Sequence, residues 1–365
     1  MGRASLDELP PPPPERLKDR AVYWQYRAVW DAAAHLPSPV ARRLPRRIGR
    51  AWYRMASEQQ RTQVRRNLQR VVPEASPPEL RGLVRDAYVA YARYWLDSFR
   101  LHTMQAEEVV AAARTVGLEH IDAFRDSGQG GILATGHLGS WDVGAFFTSQ
   151  REWGMVVVAE LVEPRRLFER FVWLRRNAGI DVIPLVKGGD MLDQLEQRVR
   201  ERGQVATLLA DRDLTRKGPI VEFFGEPCRL PPGTAALARR TGRPVAVGAF
   251  FTEGDDGYVG AVHDPFRVDH LDVYDGTQVV AHELERLIRR APEQWHVFVP
   301  NWLADREPDH PVVAAFLAGE DWRALARRER DGDVDGDPGT GGQPGADGAS
   351  DGTDVGADDG RAADG

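Results

Sequence analysis

Between residues 116 and 262 the chain alternates short, uninterrupted apolar runs with segments of helical periodicity. This alternation limits the fold more than any other feature of the 365 residues. Residues 130–137 (GGILATGH), 154–161 (GMVVVAEL), 181–186 (DVIPLV) and 204–211 (QVATLLAD) are compact and rich in Val, Ile and Leu, as strands buried on both faces are. The intervals between them predict helices over 140–150, 164–178 and 190–201. The order is that of repeated βαβ units, so the expected fold class is α/β, with helices on both faces of a largely parallel sheet. Further on, 219–230 reads as a hairpin outside the central sheet, 233–240 as a helix, 244–251 and 258–262 as strands, and 278–290 as a helix.

The flanks differ in composition. Residues 1–15, with five consecutive prolines from Pro10, predict a disordered lead. Residues 16–115 predict a helical, amphipathic region, 116–326 the α/β core, and 327–365 a disordered tail. From 331 onward the chain holds ten Asp and one Arg, a net of −9 that leaves residues 1–330 at +2. Such Asp/Gly repetition gives nothing to bury against the entropy of ordering. From 331 onward the chain also lacks the Glu that an EF-hand loop requires. No apolar run approaches the roughly 18 residues of a spanning helix. The N-terminus lacks the apolar centre of a secretory signal, which predicts a chain retained in the cytoplasm. The lone Cys228 excludes an internal disulfide framework.

Residues 15–70 carry 14 Lys or Arg against 4 Asp or Glu, interleaved with aromatics. Val22, Tyr26, Val29, Trp30 and Ala33 share a helical face, and Ala41–Arg54 sets dense Arg beside Trp52 and Tyr53. Two readings stay open from this pattern: a helix lying on an anionic membrane, and a helix packing its apolar face on the core. Nucleic acid is not expected as a partner, because no recognition motif accompanies the basic stripe. A second helix is predicted from 77 to 101, with Leu80, Leu83, Val84, Ala87, Tyr91 and Trp95 as its apolar stripe.

Chemistry in an open α/β sheet collects at the carboxyl ends of strands, and the first central strand ends in TGHLGSWD. His137 leaves that strand, and Asp142 follows five residues later. A histidine held by a carboxylate has its tautomer fixed and one ring nitrogen free to take a proton from a hydroxyl. A capped structural histidine fits the same spacing. Ser140 as a hydrolase nucleophile lacks the G-x-S-x-G elbow. No histidine spacing suggests a metal site.

The segments ILATGHLGSWD, VAELVEPRRLFERFVWLRRNAGIDVIPL, LLADRDLTRKGPIVEFFGEPCRLPPGTAALARRTGRPV and PEQWHVFVPNW resemble the lipid A biosynthesis acyltransferase family. Within it they are most similar to the actinobacterial phosphatidylinositol mannoside acyltransferases. The resemblance is dense over 116–302 and looser before it. It implies an αβα acyltransferase core of the glycerol-3-phosphate acyltransferase type, held on the cytoplasmic face of the inner membrane by its N-terminal region. It implies His137 as the base, oriented by Asp142, which activates an acceptor hydroxyl toward the thioester of acyl-CoA. Asp211 is implied as a third catalytic residue, and Arg175, Glu160 and Asp213 as substrate-binding residues, with Arg175 suited to an oxyanion or a phosphate.

The expected function is therefore transfer of a long acyl chain from acyl-CoA to a mannose of a phosphatidylinositol mannoside, with acyl-CoA a substrate and no cofactor. A lipid A precursor or a lysophospholipid is the alternative acceptor, and a non-catalytic lipid-binding protein of the same fold the alternative class. The chain departs from the family pattern at Ile220, where a Glu is frequent. Cys228 is expected to be a buried, inert thiol, and His296 to line the site or to be structural.

Overall fold

The computed structural model describes residues 14–186 and 189–332. The lead expected over 1–15 and the tail expected over 327–365 fall outside the described residues, except for their inner ends. Four helices open the chain: α1 (Leu17–Ala34), α2 (Ser38–Met55), α3 (Glu58–Val71) and α4 (Pro77–Arg100). Next come α5 (Ala106–Ala112), β1 (Ala113–Val116), α6 (Glu119–Asp126), β2 (Gly131–Thr135), α7 (Trp141–Ser149), β3 (Met155–Glu160), α8 (Arg165–Asn177) and β4 (Asp181–Leu185). They are followed by α9 (Met191–Arg202), β5 (Val205–Leu209), β6 (Ile220–Phe223), β7 (Glu226–Arg229), α10 (Gly233–Thr241), β8 (Val245–Glu253) and β9 (Gly257–Val262). The described residues close with α11 (Val273–Ile288), α12 (Leu303–Arg306), α13 (Pro311–Leu317) and α14 (Trp322–Gly332).

Seven strands form one sheet in the order β1-β9-β8-β2-β5-β3-β4. All neighbours are parallel except β8 and β9. The predicted α/β class is therefore the observed one, and β6 and β7 form the separate hairpin. The central strand β2 is buried along its whole length. Its side chains divide by the pleat: Ile132 and Ala134 join Val245 and Val247 under α9, α10 and α11, while Leu133 joins Ala246 and Phe250 on the face that carries α7. Each large buried aliphatic of this kind contributes about 1.5–3 kcal/mol relative to exposure.

Several boundaries differ from the sequence expectation for local reasons. The sheet begins at Ala113, inside the region expected to be wholly helical, because β1 is a short edge strand that pairs only with β9. Helix α11 begins at Val273 rather than 278, where the Asp272 side chain caps it by accepting from Asp275 N at 2.9 Å. Helix α14 continues to Gly332, past the expected start of the tail at 327. On α1, Val22 and Val29 are 36% and 55% exposed, and Tyr23 takes their place in the buried face with Trp30 and Ala33. Trp30 packs against Phe99 of α4 and Phe171 of α8, with ring centroids 5.2 and 5.3 Å apart.

Helix α2 packs one face on the core, the second of the two readings left open for the basic stretch. Ala41, Pro45 and Gly49 are buried against α4. Leu44 packs partly on the core, while Val40, Ile48, Ala51 and Met55 are exposed, as are Arg43, Arg47 and Arg54. Arg42 and Arg46 instead reach the β8–β9 turn, pairing with Asp256 at 2.9 Å and Asp255 at 2.8 Å. Among the described residues, no helix is long and apolar enough to cross a membrane.

Candidate active site

The site begins where β2 stops. The chain leaves the sheet through Gly136, His137, Leu138, Gly139 and Ser140 and enters α7. Both glycines are required. A Cβ on Gly136 would stand 3.0 Å from Asp211 Oδ2, and one on Gly139, whose φ is +65°, would stand 2.3 Å from the Phe250 carbonyl oxygen.

The neighbouring parallel strand supplies the carboxylate. Thr135 of β2 is level with Leu209 of β5, so two residues further along each strand His137 comes level with Asp211. Asp211 Oδ1 lies 2.8 Å from His137 Nδ1, and Oδ2 accepts from His137 N at 2.8 Å and from Trp295 Nε1 at 2.8 Å. Asn301 Nδ2 donates to the Asp211 carbonyl oxygen at 3.0 Å. Burial opposes ionisation of Asp211, yet the interaction with His137 and the hydrogen bonds from His137 and Trp295 hold its pKa below the usual carboxylate range. A carboxylate only accepts, so the Nδ1 proton of His137 faces Asp211 and the lone pair sits on Nε2. The His137 side chain is 25% exposed, with its ring 5.6 Å from that of Trp141.

Asp142, expected to orient the histidine, makes its hydrogen bonds elsewhere. Its Oδ1 accepts from Arg175 Nε at 2.9 Å, and its Oδ2 accepts from Ser98 Oγ at 3.0 Å and Tyr94 Oη at 3.2 Å. The reason is helical geometry: Asp142 sits in the first turn of α7, whose buried side faces α4, while His137 lies in the loop before it. Burial and the Asp142 charge both push the Tyr94 hydroxyl pKa well up, so the phenol keeps its proton and donates. Burial opposes the charge of Arg175, but Asp142 more than offsets it and raises the guanidinium pKa. The pair ties α7 to α8 and α4 behind Trp141, whose ring stacks on Tyr94 at 3.8 Å.

Of the other expected site residues, Glu160 lies exposed at the carboxyl end of β3, at the same end of the parallel strands as His137. Asp213 is buried, and its carboxylate is turned toward its own loop: Oδ1 accepts from Thr215 N at 2.9 Å and Thr215 Oγ1 at 2.7 Å, Oδ2 from Gly218 N at 2.7 Å. These bonds tie the loop together. Ser140 is buried and bonds Asp97 Oδ2 at 3.2 Å, away from His137. Burial drives the Cys228 thiol pKa far up, leaving it inert. Ile220 packs with Leu303, Val313 and Trp322, and Glu222 pairs with Arg323 on the surface.

His296 is structural to the loop. Its backbone N–H donates to the His137 carbonyl oxygen at 2.7 Å, its Nε2 lies 3.2 Å from the Gly139 carbonyl oxygen, and its ring stacks on Tyr91 at 5.0 Å. Burial pushes its pKa down to about 3, so the ring is neutral. Trp295, Asn301, Tyr94 and Ser98 were not legible as site residues, since no spacing in the sequence links them to His137. Among the described residues, no three His, Cys, Asp or Glu side chains converge as metal ligands.

With this geometry in hand, comparison with known proteins gives a consistent result. The family described as bacterial lipid A biosynthesis acyltransferase matches residues 14–304. A phosphatidylinositol mannoside acyltransferase of Mycobacterium tuberculosis (strain CDC 1551 / Oshkosh) is 36% identical over 304 residues, covering 82% of this chain and 94% of the relative. A protein of the same description from Mycolicibacterium smegmatis (strain ATCC 700084 / mc(2)155) is 36% identical over 247 residues, covering 67% of this chain and 80% of the relative.

Proposed function

The chain belongs to the bacterial lipid A biosynthesis acyltransferase family and is an acyltransferase, and from that premise we propose a specific reaction and a base. The reaction is transfer of a long acyl chain from acyl-CoA to a mannose hydroxyl of a phosphatidylinositol mannoside. The acceptor follows the name of the relatives, which match most of this chain.

One observation carries the mechanism: the buried Asp211 carboxylate holds His137 Nδ1 at 2.8 Å. Nε2 of His137 takes the proton of the acceptor hydroxyl as its oxygen attacks the thioester carbonyl. The new C–O bond forms and the tetrahedral intermediate collapses with cleavage of the C–S bond. The imidazolium then returns the proton to the departing thiolate. Asp211 stabilises the imidazolium while it exists, and no protein nucleophile is needed because a thiol, with a pKa near 8.5, leaves readily. Asp142 and Arg175 act as positioning residues that hold the first turn of α7, and Glu160 faces the acceptor.

The outward side of α2 fits a peripheral membrane contact on the cytoplasmic face, with Val40, Ile48 and Met55 entering the headgroup region and Arg43, Arg47 and Arg54 meeting lipid phosphate. Sedimentation with anionic vesicles is expected to weaken with salt and in Arg43→Ala/Arg47→Ala/Arg54→Ala. Binding that ignores both removes this part of the reading.

The central test is a transfer assay with labelled palmitoyl-CoA and, in parallel, phosphatidylinositol mannosides, lysophospholipids and water alone. Acylation of a mannoside, abolished in His137→Ala, is the expected result. Label passing only to water or to a lysophospholipid overturns the acceptor assignment, and full activity in His137→Ala overturns the mechanism.

A further inference from the structure

Arg175, the arginine the sequence offers as a phosphate ligand, is paired with Asp142, yet the same end of the sheet carries cations that lack such partners. The segment leaving β5 reads Asp211-Arg212-Asp213-Leu214-Thr215-Arg216-Lys217-Gly218. It closes around the Asp213 carboxylate, which accepts from Thr215 and Gly218. Arg212 is left half-buried, and Arg216 and Lys217 are exposed. Arg306, at the end of α12, joins them by donating from Nη1 to the Asp213 carbonyl oxygen at 2.8 Å.

Among the described residues, the side chains of Arg212, Arg216 and Lys217 have no hydrogen-bond acceptor or ion-pair partner within bonding distance. Nearby arginines are treated differently: Arg70 bonds Asp305 at 2.6 Å and Glu226 at 2.8 Å, and Arg229 bonds Glu329 at 2.7 Å. The free cations are also close to one another, since burial and then the charges of Arg216 and Arg212 hold the Arg306 pKa below its usual value. They are close to the base as well. Arg212 follows Asp211 directly and acts on the hydroxyl of Tyr91, whose ring stacks on His296. Arg212, Arg216 and Arg306 repel one another, with Lys217 next to Arg216 in the chain, an arrangement that a bound anion relieves.

We infer that Arg212, Arg216, Lys217 and Arg306 bind a phosphate group of one of the two substrates at the His137 end of the sheet. Guanidinium and ammonium donors match phosphate oxygens in charge and in hydrogen-bonding geometry. The phosphate has two sources, the nucleotide end of a CoA thioester and the phosphodiester of a phosphoinositol acceptor. The inference rests on the acyl-transfer reading for the identity of those substrates.

The test is calorimetric titration of the full chain with CoA and, separately, with glycerophosphoinositol, at low and high salt. Arg216→Ala/Lys217→Ala is the variant, chosen because both side chains are exposed and circular dichroism can check its fold. The wild type is expected to bind at least one probe, with affinity falling as salt rises, and the variant to bind that probe about tenfold or more weakly. Weakening confined to CoA assigns the phosphate to the donor, and weakening confined to glycerophosphoinositol assigns it to the acceptor. Unchanged affinity for both probes, or no binding of either by the wild type, overturns the inference. Binding is measured without turnover, so the two failures are separable. A chain that transfers no acyl group yet binds CoA through these residues loses the proposed function and keeps the site. An active chain whose affinities ignore the substitution loses the site and keeps the function.

Discussion

Asp211 and Asp142 are both buried, both border the segment that carries His137, and have opposite partners. Asp211 meets an imidazole, an indole N–H and a backbone N–H, at 2.8 Å each. Asp142 meets the permanent cation of Arg175 at 2.9 Å, with the hydroxyls of Ser98 and Tyr94. A carboxylate against a titratable ring stabilises a charge that comes and goes, which is what a general base requires. A carboxylate against guanidinium is neutralised in every state and can only hold the structure in place. The contrast is the ground on which Asp211 is proposed for the chemistry and Asp142 for its support.

The comparison is broken most forcefully at Asp211. Asp211→Asn is expected to lower kcat by about 10²–10⁴-fold, the range of a lost acid–base contribution, with KM changed far less. Retention of kcat within about tenfold of wild type would sink the assignment.

At Asp142 the larger effect is on stability. Asp142→Ala leaves Arg175, 19% exposed, without its counter-ion, and is expected to lower the unfolding free energy by about 3–5 kcal/mol in urea titrations. Adding Arg175→Met should recover most of that loss. If the single variant is as stable as wild type, the supporting role is wrong.

Trp295→Phe sharpens the comparison, because it keeps a smaller aromatic ring in place and deletes one donor to Asp211. Stability should fall by about 1–2 kcal/mol. The acid limb of the pH–rate profile should move upward as the Asp211 carboxylate loses a stabilising bond. An unmoved limb with lowered stability would mark the indole as packing alone.

Near neutral pH the smallest effect concerns His296. Its folded pKa lies near 3 against 6.5 for an unburied imidazole. The unfolded chain therefore binds the extra proton as pH falls through this interval, and stability is lost from about pH 6.5 downward, by up to about 1.4 kcal/mol per pH unit. His296→Phe should flatten that slope relative to wild type in urea unfolding at stepped pH. Parallel curves for the two proteins would refute the neutral, buried assignment.

Legibility in the sequence followed the range of the interactions. The central strands were readable because burial on both faces demands continuous apolar runs, which need no knowledge of neighbours. The edge strand β1 was not readable, because ARTV is short and largely exposed and becomes a strand only by pairing with β9. On α1 Trp30 and Ala33 were visible as part of the buried face, but Tyr23 was not. Tyr23 turns inward beneath Arg166 of α8, with the guanidinium 4.1 Å from its ring centroid, and that contact lies about 140 residues away in the chain.

By itself the sequence determined the α/β class, the position of the His137 loop after β2, and Asp142 beside it, since periodicity and glycine spacing are local properties, while Asp211 was implied by the family resemblance. Only the tertiary structure decided which carboxylate serves the histidine. Five residues along the chain, Asp142 starts a helix whose buried side faces α4. Seventy-four residues along the chain, Asp211 is brought level with His137 by the parallel register of β2 and β5, and no reading of one strand contains the register of two.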